Sequence, residues 1–340
     1  MKTLKNARIA VVGATGNVGR AMLSILEERG VPKDHVFAVA SNRSAGQSIS
    51  YGDTDVLSVQ ALESFDFSQC QIALFSPGGA ISAEFAPLAA KHCVVIDNTS
   101  HFRMDPHIPL VVPEINGHHI AHYTKRRIIA NPNCSTIQLL MALAPLHHVS
   151  PIKRVVVSTY QSVSGAGKEA MDELFNQSRG VFMNTPHAPQ QFHKPIAFNV
   201  IPQIDVFLED GSTKEEWKMA SETKKILDPS IELTATCVRV PVFIGHSVSA
   251  NVEFSKPLTA KEARKILQKA KGVQVMDDPD DYVYTTPIEC AGDDAVYVSR
   301  IRQDSTLENC LWLWIVGDNI RKGAALNAVQ IADMLVKDYL

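Results

Sequence analysis

The sequence RIAVVGATGNVG (residues 8–19) decides the fold of the first part of the chain. A short apolar run precedes a glycine-rich turn, and a helical pattern follows to about Arg29. Gly13 and Gly16 let the backbone approach a pyrophosphate, and Gly19 lets the helix pack closely against the strand. The stretch therefore predicts a dinucleotide-binding turn in a parallel α/β sheet. Its predicted cofactor contacts are Gly13, Thr15, Gly16, Asn17, Val18 and Gly19.

The loop after the second predicted strand, residues 36–40, bears on which dinucleotide binds. An NAD enzyme usually has Asp or Glu here to accept hydrogen bonds from the ribose hydroxyls, but this chain has SNRSAG at residues 41–46. A missing carboxylate beside an arginine and two hydroxyls suits a 2′-phosphate, so the loop predicts NADP, bound by Ser41, Arg43 and Ser44. The alternative is a polar surface loop with an incidental arginine.

Strand–helix alternation continues beyond this loop. Strands are predicted at residues 71–75 and 94–96, with a helix between them at residues 80–91. Polar loops at the carboxyl ends of parallel strands are where a doubly wound sheet binds its ligands. Ser76, after the first of these strands, is therefore a predicted cofactor contact. Arg103, after the second, is a predicted anion ligand, with a surface salt bridge as the alternative.

The sequence NPNCST (residues 131–136) places one cysteine between an apolar run and an apolar, helix-like segment at residues 136–146. Pro132 stiffens the turn, so Cys134 is predicted near a helix N-terminus, where exposed N–H groups and the macrodipole favour the thiolate. Because the thiolate is the form that attacks acyl carbons, Cys134 is a candidate nucleophile. The alternative is a buried small hydrophobe, which is how most cysteines behave.

The remaining potential metal ligands point to no metal site. Four other cysteines lie in or beside apolar strand-like runs and are predicted core residues, namely Cys70, Cys93, Cys237 and Cys310, whereas Cys290 leads into a loop and stays ambiguous. No CxxC pair occurs, which argues against zinc-ribbon and thioredoxin-type sites. The cluster His118, His119 and His122 lacks a neighbouring carboxylate or thiolate, so we predict that it binds no metal.

Composition limits the class of protein. The chain has 340 residues and a formal net charge of −3, from 33 Lys+Arg and 36 Asp+Glu, which argues against binding to nucleic acid or to a membrane surface. The N-terminal sequence enters a strand without the pattern of a signal peptide, and no apolar run approaches the roughly 18 residues of a membrane span. Sparse cysteines favour a reducing compartment, so we expect a cytoplasmic protein. The length predicts two domains.

From about residue 151 the predicted strands alternate apolar and polar residues, which is typical of a mixed or antiparallel sheet with one exposed face. These strands are predicted at residues 155–160, 231–240, 247–254, 295–302 and 311–316, and helices at residues 165–177, 214–227 and 261–269. The last segment, residues 319–340, has apolar residues at helical spacing and is predicted to pack against the first domain.

Two motifs in the second part carry candidate catalytic residues. RVPVFIGHS (residues 239–247) puts Arg239 at the end of one strand and His246 at the start of the next, so that a short bend brings both to one cleft. Histidine suits proton transfer at neutral pH, although a satisfied turn histidine is the alternative. In YQSVSGAG (residues 160–167), Gln161 is placed to orient a substrate, and the small-residue loop allows a nicotinamide to lie close.

Taken in order, these motifs resemble the aspartate-β-semialdehyde dehydrogenase family over nearly the whole chain. The matching segments are GATGNVG, SNRSAG, NTSHFRMD, NPNCST, QSVSGAG, EEWKM, CVRVPVFIGHS and DNIRKGAA. NPNCST together with RVP and GHS is specific to the family, whereas the glycine loop is not. The resemblance implies a Rossmann-type NADP-binding domain (residues 1–132 with the C-terminal helix 319–340) and a mixed α/β catalytic and dimerisation domain (residues 133–318). It also implies a homodimer.

The resemblance further implies a reaction and the residues that perform it. The reaction is the NADPH-dependent conversion of L-aspartyl 4-phosphate to L-aspartate 4-semialdehyde and phosphate, toward lysine, methionine, threonine and diaminopimelate. The catalytic residues would be Cys134 as thioester-forming nucleophile, His246 as acid/base and Gln161 as the group that orients the substrate. The substrate would be bound by Arg239 (α-carboxylate), Glu215 (ammonium), and Arg103, Lys218 and Asn98 (phosphate). Further NADP contacts would be Ser164, Gly165 and Asn319. Helix phase leaves Glu216 as the alternative to Glu215.

Three alternatives remain at this point. N-acetyl-γ-glutamyl-phosphate reductase shares the chemistry, but it typically has a GCY-type nucleophile motif where this chain has NCST. A phosphorylating aldehyde dehydrogenase of the glyceraldehyde-3-phosphate type has a similar cysteine motif, but Arg43 and Arg239 argue against it. A non-catalytic NADP-binding protein is the third, and the intact set of Cys134, Gln161, Arg239 and His246 argues against it.

Overall fold

The computed structural model describes residues 3–340, so Met1 and Lys2, which begin the predicted first domain, lie outside the described residues. The chain divides into two compact units. The first unit comprises the described residues up to Asn133 together with Ala324–Leu340, and the second unit comprises Cys134–Gly323.

The described strands are β1 Ile9–Val12, β2 Val36–Ala40, β3 Ser48–Tyr51, β4 Asp55–Ser58, β5 Gln60–Ala61, β6 Ile72–Phe75, β7 Val94–Asp97, β8 Ile128–Ala130, β9 Ile152–Gln161, β10 Glu232–Arg239, β11 His246–Phe254, β12 Val273–Val275, β13 Val296–Gln303 and β14 Cys310–Gly317. The described α-helices are α1 Asn17–Glu28, α2 Gly79–Ala89, α3 Pro113–Asn116, α4 Cys134–His147, α5 Lys168–Met183, α6 Lys214–Ile226, α7 Ala260–Leu267, α8 Pro287–Cys290 and α9 Leu326–Asp338. Within residues 3–340, no helix is both long enough and apolar enough to span a membrane.

The first unit is built on a six-stranded parallel sheet with the order β5-β2-β1-β6-β7-β8. On one side of the sheet the chain continues from β1 to β2, and on the other side it continues from β6 to β7 and β8. The boundary between β1 and β6 is therefore the topological switch point of the sheet. Ligands of open α/β sheets bind beyond the carboxyl ends of the strands at such a point. The glycine-rich turn after β1 and Ser76 after β6 therefore lie at the predicted place.

The helices of this unit cover the sheet with apolar faces. All four residues of β1, of β6 and of β7 are buried, as expected for strands covered on both faces. The apolar stripe of α1 is buried, and α9 packs against α1. The residues that predicted α9 by their spacing are all buried: Ala325, Val329, Ala332 and Val336. The predicted helix starts later than residue 319, because a π-helical turn, Arg321–Ala325, precedes α9.

The second unit is built on a six-stranded mixed sheet with the order β10-β9-β11-β14-β13-β12. The outer pairs β10–β9 and β12–β13 are parallel, and the inner pairs are antiparallel. This confirms the mixed sheet predicted from residue 151 onward. The helix α4 is buried on nearly all sides, which explains why its sequence is apolar throughout.

One helix of the second unit differs from its prediction. The helix predicted at residues 165–177 is α5, which starts at Lys168 and ends at Met183. A separate 3₁₀ turn, Val163–Ala166, occupies the predicted start. Gly167 lies between them with φ of 100°, a backbone conformation outside any helix, so the two helical segments cannot be continuous.

Candidate active site

A cavity of about 570 Å³ lies at the switch point of the first unit. Its volume falls in the usual range for small-molecule sites. Six of the predicted cofactor contacts line it, namely Gly13, Thr15, Gly16, Ser41, Arg43 and Ser76. Asn17, Val18 and Gly19, which follow Gly16 in the chain, and Ser44, which follows Arg43, are not among the lining residues.

Glycine is required at two positions of the turn beside this cavity. Gly13 has φ of 85°, and a Cβ atom there would lie 2.7 Å from the Ser76 carbonyl oxygen. A Cβ atom on Gly19 would overlap the Gly13 carbonyl oxygen. The N-cap of α1 is Gly16, which offers no side chain to the first-turn N–H groups. These features fit a dinucleotide, whose pyrophosphate needs close backbone approach and a helix N-terminus.

Charged side chains give the cavity its polarity. Arg43 is exposed, and among residues 3–340 no acidic group is paired with its guanidinium. Two carboxylates, Glu63 and Glu84, also line the cavity and were not predicted. They come from separate elements, Glu63 from a 3₁₀ turn after β5 and Glu84 from α2, so no local motif connects them with the glycine turn.

Arg103 and Asn98 belong to one hydrogen-bonded group in the first unit. Arg103 is buried, which does not fit the alternative of a surface residue. Its Nε donates to the Asn131 carbonyl oxygen (2.9 Å) and its Nη2 to the Asn98 carbonyl oxygen (3.0 Å). The Asn131 side chain donates to Asn98 Oδ1 (2.5 Å). Asn131 was not predicted as a functional residue, although it opens the motif NPNCST.

Cys134 is the first residue of α4, as predicted. It is partly exposed, whereas the other five cysteines are buried. Cys290, which the sequence left ambiguous, is a core residue, because its side chain is fully buried. This burial raises the pKa of its thiol to about 12. Cys134 is therefore the cysteine of the chain that combines a helix start with exposure.

Gln161, the last residue of β9, hydrogen-bonds both to Ser135, the residue after Cys134, and to Glu215 on α6. Its Nε2 donates to Ser135 Oγ (2.7 Å) and to Glu215 Oε1 (3.2 Å). Glu215 Oε2 in turn accepts from Lys218 Nζ (3.1 Å), which also contacts Asp205 Oδ2 (2.7 Å). Burial lowers the pKa of Lys218, but the charges of Glu215 and Asp205 outweigh it, so the net change is a rise and the ammonium stays charged.

The structure distinguishes Glu215 from Glu216. Glu216 forms a capping box with Thr213 at the start of α6 and accepts a hydrogen bond from the Cys237 main-chain nitrogen (2.9 Å). Glu215 instead meets Gln161 and Lys218. The sequence contained the signal for this difference, since Thr213 and Glu216 have the T-x-x-E spacing of a capping box.

Arg239 and His246 lie at the same edge of the second sheet as Gln161. Arg239 is opposite Gln161 in the parallel pair β10–β9, and His246 begins the antiparallel neighbour β11. Gly165 packs against both side chains, because a Cβ atom on it would lie 3.3 Å from Arg239 Nη1 and from His246 Nε2. Arg239 Nη1 donates to the Ser162 carbonyl oxygen (2.7 Å).

The environment of His246 keeps its ring neutral. Burial, and then the positive charge of Arg239, lower the pKa of His246 from 6.5 to about 3. Glu215 and the Gly245 carbonyl act in the opposite direction and are weaker. Its Nδ1 accepts a hydrogen bond from the Ser162 main-chain nitrogen (3.1 Å).

The predicted cofactor contacts of the second unit lie beside His246. Asn319 Nδ2 donates to Ser164 Oγ (2.9 Å), and Asn319 Oδ1 accepts from the Gly245 main-chain nitrogen (2.9 Å). Both side chains are buried.

The histidine cluster predicted not to bind a metal lies in the first unit. The rings of His118 and His119 are 4.5 Å apart and those of His119 and His122 are 5.6 Å apart. Burial, and then the two neighbouring rings, lower the pKa of His119. Over the described part of the chain, no group of three or more His, Cys, Asp or Glu residues is placed to hold a metal ion.

Comparison with known proteins identifies the family. The family described as semialdehyde dehydrogenase, NAD binding domain, matches residues 8–123, and semialdehyde dehydrogenase, dimerisation domain, matches residues 143–322. The aspartate-semialdehyde dehydrogenase of Rickettsia bellii is 50% identical over 337 residues, which are 99% of each chain. That of Aquifex aeolicus is 52% identical over 338 residues, 98% of this chain and 99% of the relative. The chain belongs to the aspartate-semialdehyde dehydrogenase family.

A solved member of the family has the same fold. Aspartate semialdehyde dehydrogenase II from Vibrio cholerae, in complex with ASA, matches with a TM-score of 0.95 at 49% identity, covering 98% of this chain and 99% of that chain. Family membership confirms the resemblance and the fold class predicted from the sequence. It makes the chain an oxidoreductase of amino-acid biosynthesis with a Rossmann-type nucleotide-binding domain, for which a nicotinamide dinucleotide is the cofactor.

Proposed function

We propose that the protein interconverts L-aspartyl 4-phosphate and L-aspartate 4-semialdehyde with NADP, through a thioester on Cys134. The product would supply lysine, methionine, threonine and diaminopimelate biosynthesis. The observation that carries this proposal is the cluster of Gln161, Glu215, Arg239 and His246 in the same unit as a partly exposed cysteine at a helix start. The names of the relatives support it.

Cys134 supplies the nucleophile in this proposal. Its thiolate attacks the acyl carbon, the C–S bond forms and the C–O bond to phosphate breaks, which leaves a thioester. The glycine turn with Thr15 would hold a nicotinamide dinucleotide, which would supply the hydride that reduces the thioester carbon. The C–S bond then breaks as the aldehyde forms and the thiolate returns. Covalent capture divides one difficult displacement into easier steps, and His246 serves the acid/base chemistry. Gln161, held near Cys134 through Ser135, orients the acyl group.

Arg239 is the proposed ligand of the substrate α-carboxylate. It is buried, and its Nε atom has no hydrogen-bond partner among residues 3–340. A carboxylate that accepts from Nε and a terminal nitrogen would satisfy this atom, and the planar guanidinium suits such a bidentate pair. Glu215 would bind the ammonium group. Arg103, Lys218 and Asn98 would bind the phosphate.

The cofactor is proposed to be NADP rather than NAD. Support comes from the Arg43 guanidinium in the cavity of the first unit, which pairs with no acidic group among residues 3–340, and from Ser41 and Ser44, its near neighbours in the chain. The glycine turn would hold the pyrophosphate with Thr15, Asn17 and Val18, and Ser76, whose carbonyl lies against Gly13, would also contact the cofactor. Ser164, Gly165 and Asn319 are further proposed NADP contacts.

We also propose a homodimer that forms through the second unit. This unit contains the residues matched by the dimerisation domain of the family. It exposes large apolar side chains on α5 and on the following loop, namely Phe175, Val181, Phe182, Met183, Phe198 and Val200. Phe182 and Phe198 contact each other, and contiguous exposed apolar groups mark protein–protein interfaces.

A phosphate-dependent assay tests the proposal. With aspartate semialdehyde and inorganic phosphate, the protein should reduce NADP, and omission of phosphate should abolish the reaction. Cys134→Ser should lose at least about 10³-fold in kcat while still binding NADPH, because a hydroxyl is a far poorer nucleophile at neutral pH. Faster turnover of N-acetylglutamate semialdehyde or of glyceraldehyde 3-phosphate would assign the protein to a different reaction.

A further inference from the structure

An irregular segment, residues 184–200, follows α5 and runs to Ile201. It turns back onto α5 at once, since the Thr185 main-chain nitrogen donates to the Gly180 carbonyl oxygen (2.9 Å). Directly after the segment, Ile201 pairs with Arg239 through two main-chain hydrogen bonds, of 2.9 Å from Ile201 N and of 2.8 Å from Arg239 N. Both ends are thus fixed, and the second end lies on the residue that is proposed to bind the substrate carboxylate.

Two side chains of α5 hold the middle of this segment. Glu173 and Gln177 are one helical turn apart, and both are buried. Glu173 Oε2 accepts from the main-chain nitrogens of residues 190–191 (2.8 and 2.5 Å), and Gln177 Oε1 accepts from those of residues 196–197 (2.8 and 3.1 Å). Gln177 Nε2 also donates to Glu173 Oε1 (3.1 Å). Because a buried carboxylate needs donors in place of water, these bonds fix the segment at two points.

Phe192 lies between the two fixed points and faces Arg239. Its ring centroid is 6.0 Å from Arg239 Cζ, and the half-buried ring packs against a buried cluster that includes Leu174 and Ile196. Burial lowers the pKa of Arg239, because the guanidinium has lost most of its water. An aromatic ring attracts a guanidinium more strongly when the cation is desolvated. The ring is therefore placed to hold the cation of Arg239.

We infer that Phe192 is a positioning residue that fixes the Arg239 guanidinium for the substrate carboxylate, and that Glu173 acts through it by holding the segment around residue 191. The inference rests on the proposed function and adds residues that the family motifs do not contain. Arg239 Nη1 donates to the Ser162 carbonyl oxygen (2.7 Å), whereas its buried Nε has no hydrogen-bond partner among residues 3–340. With Nη1 bonded and the ring beside Cζ, the guanidinium keeps one orientation in which Nε is left for a carboxylate.

Substitution of Phe192 tests the role of the ring. The α-carboxylate keeps its contact throughout the reaction, so weaker positioning of its ligand should change KM and not kcat. Phe192→Leu keeps an apolar side chain but removes the ring, and it should raise the KM for aspartate semialdehyde about 3- to 10-fold with kcat and the KM for NADP unchanged. Phe192→Tyr keeps the ring and should restore the wild-type KM.

Phe37→Leu is the matched control, because Phe37 makes the same kind of contact with Arg8 in the first unit (5.0 Å). It should leave the KM for aspartate semialdehyde unchanged. An unchanged KM in Phe192→Leu, with only a lower Tm, would show that Phe192 is a packing residue and would overturn the inference.

A double-mutant cycle tests whether Glu173 acts through Phe192. Glu173→Ala removes the acceptor of two main-chain N–H groups, so the segment should loosen and the KM for aspartate semialdehyde should rise about as much as in Phe192→Leu. Because both changes remove the same positioning, the double variant should have a KM close to that of the weaker-binding single variant. Effects on KM that multiply would show that Glu173 acts independently of Phe192 and would overturn that part of the inference.

Nitrogen-15 NMR of the arginine-labelled full chain tests the contact without any turnover, with Arg239→Lys used to assign the Arg239 Nε–H signal. Phe192→Leu should shift this signal, because the ring beside the guanidinium is lost, and Phe192→Tyr should leave it near its wild-type position. An Nε–H signal that is the same in wild type and Phe192→Leu would overturn the inference. If the wild type did not turn over aspartate semialdehyde, the proposed function would fail, while the NMR comparison would still decide whether Phe192 positions Arg239.

Discussion

Arg43 is the residue on which the choice of cofactor depends. Its guanidinium lines the cavity of the first unit. Charge-assisted hydrogen bonds to a 2′-phosphate contribute roughly 1.5–3 kcal/mol each. Arg43→Ala should therefore raise the KM for NADPH by about 10- to 100-fold. The KM for NADH should hardly change, because NADH has no 2′-phosphate. Steady-state kinetics with both cofactors measures the two effects.

Arg126→Ala is the matched control for this variant. It removes another exposed arginine of the first unit, one that pairs with Asp105 on the surface. The control should leave the KM of both cofactors unchanged. Equal losses with NADPH and NADH in Arg43→Ala would mean that Arg43 supports the fold and does not select the cofactor.

His246 gives folding stability a defined pH dependence. Its pKa is lowered from 6.5 to about 3 in the folded protein, so only the unfolded chain takes up a proton as the pH falls below 6.5. The free energy of unfolding must therefore decrease with falling pH until the folded ring is also protonated. Between pH 7 and pH 5 the wild type should lose about 2 kcal/mol more than His246→Gln.

Urea denaturation of both proteins at the two pH values measures this difference. All other titrating groups are shared, so the comparison isolates His246. An identical pH dependence in the two proteins would mean that His246 has an ordinary pKa in the folded state.

At the scale of elements, the turn between β1 and α1 depends on backbone contact. Gly19→Ala would bring a methyl group onto the Gly13 carbonyl oxygen and within 2.8 Å of Ala14 Cα. Overpacking of this kind costs about 1–3 kcal/mol. We expect a lower Tm and a Kd for NADPH that is about tenfold higher or more, because strand and helix must move apart.

Gly79→Ala provides the control, since a Cβ atom there meets nothing within 4 Å. It should keep the wild-type Kd, measured by NADPH fluorescence titration. Unchanged NADPH binding by Gly19→Ala would exclude this turn as the cofactor-binding element.

The elements predicted correctly from the sequence are those marked by a pattern of a few neighbouring residues. The apolar run at residues 36–40 is β2, and Cys134 begins α4, because turn residues and apolar runs act over a few neighbours. Glu63 and Glu84 were missed because they lie far apart in the chain and reach one cavity only through the fold of the sheet. The late start of α5 was missed because a positive φ at Gly167 depends on tertiary context.

At the scale of the whole molecule, an exposed pair of aromatic side chains supports the proposed homodimer. Phe182 on α5 and Phe198 on the following loop are 79% and 66% exposed, and their ring centroids are 5.7 Å apart. Two aromatic rings that contact each other and remain open to solvent form an exposed apolar surface. Such a surface is expected to be covered by a second copy of the chain, since C₂ interfaces are the commonest in soluble oligomers.

The double variant Phe182→Asp, Phe198→Asp tests that this surface forms the dimer. Wild type should have a mass about twice the 37.3 kDa of the chain in light scattering after size-exclusion chromatography. The variant should dissociate toward 37.3 kDa at micromolar concentration, because burying unpaired carboxylates in an apolar interface is strongly unfavourable. Leu88→Asp, which changes an exposed apolar residue on α2 of the first unit, should leave the mass unchanged. If the double variant stayed dimeric, the two chains would associate through a different face of the protein.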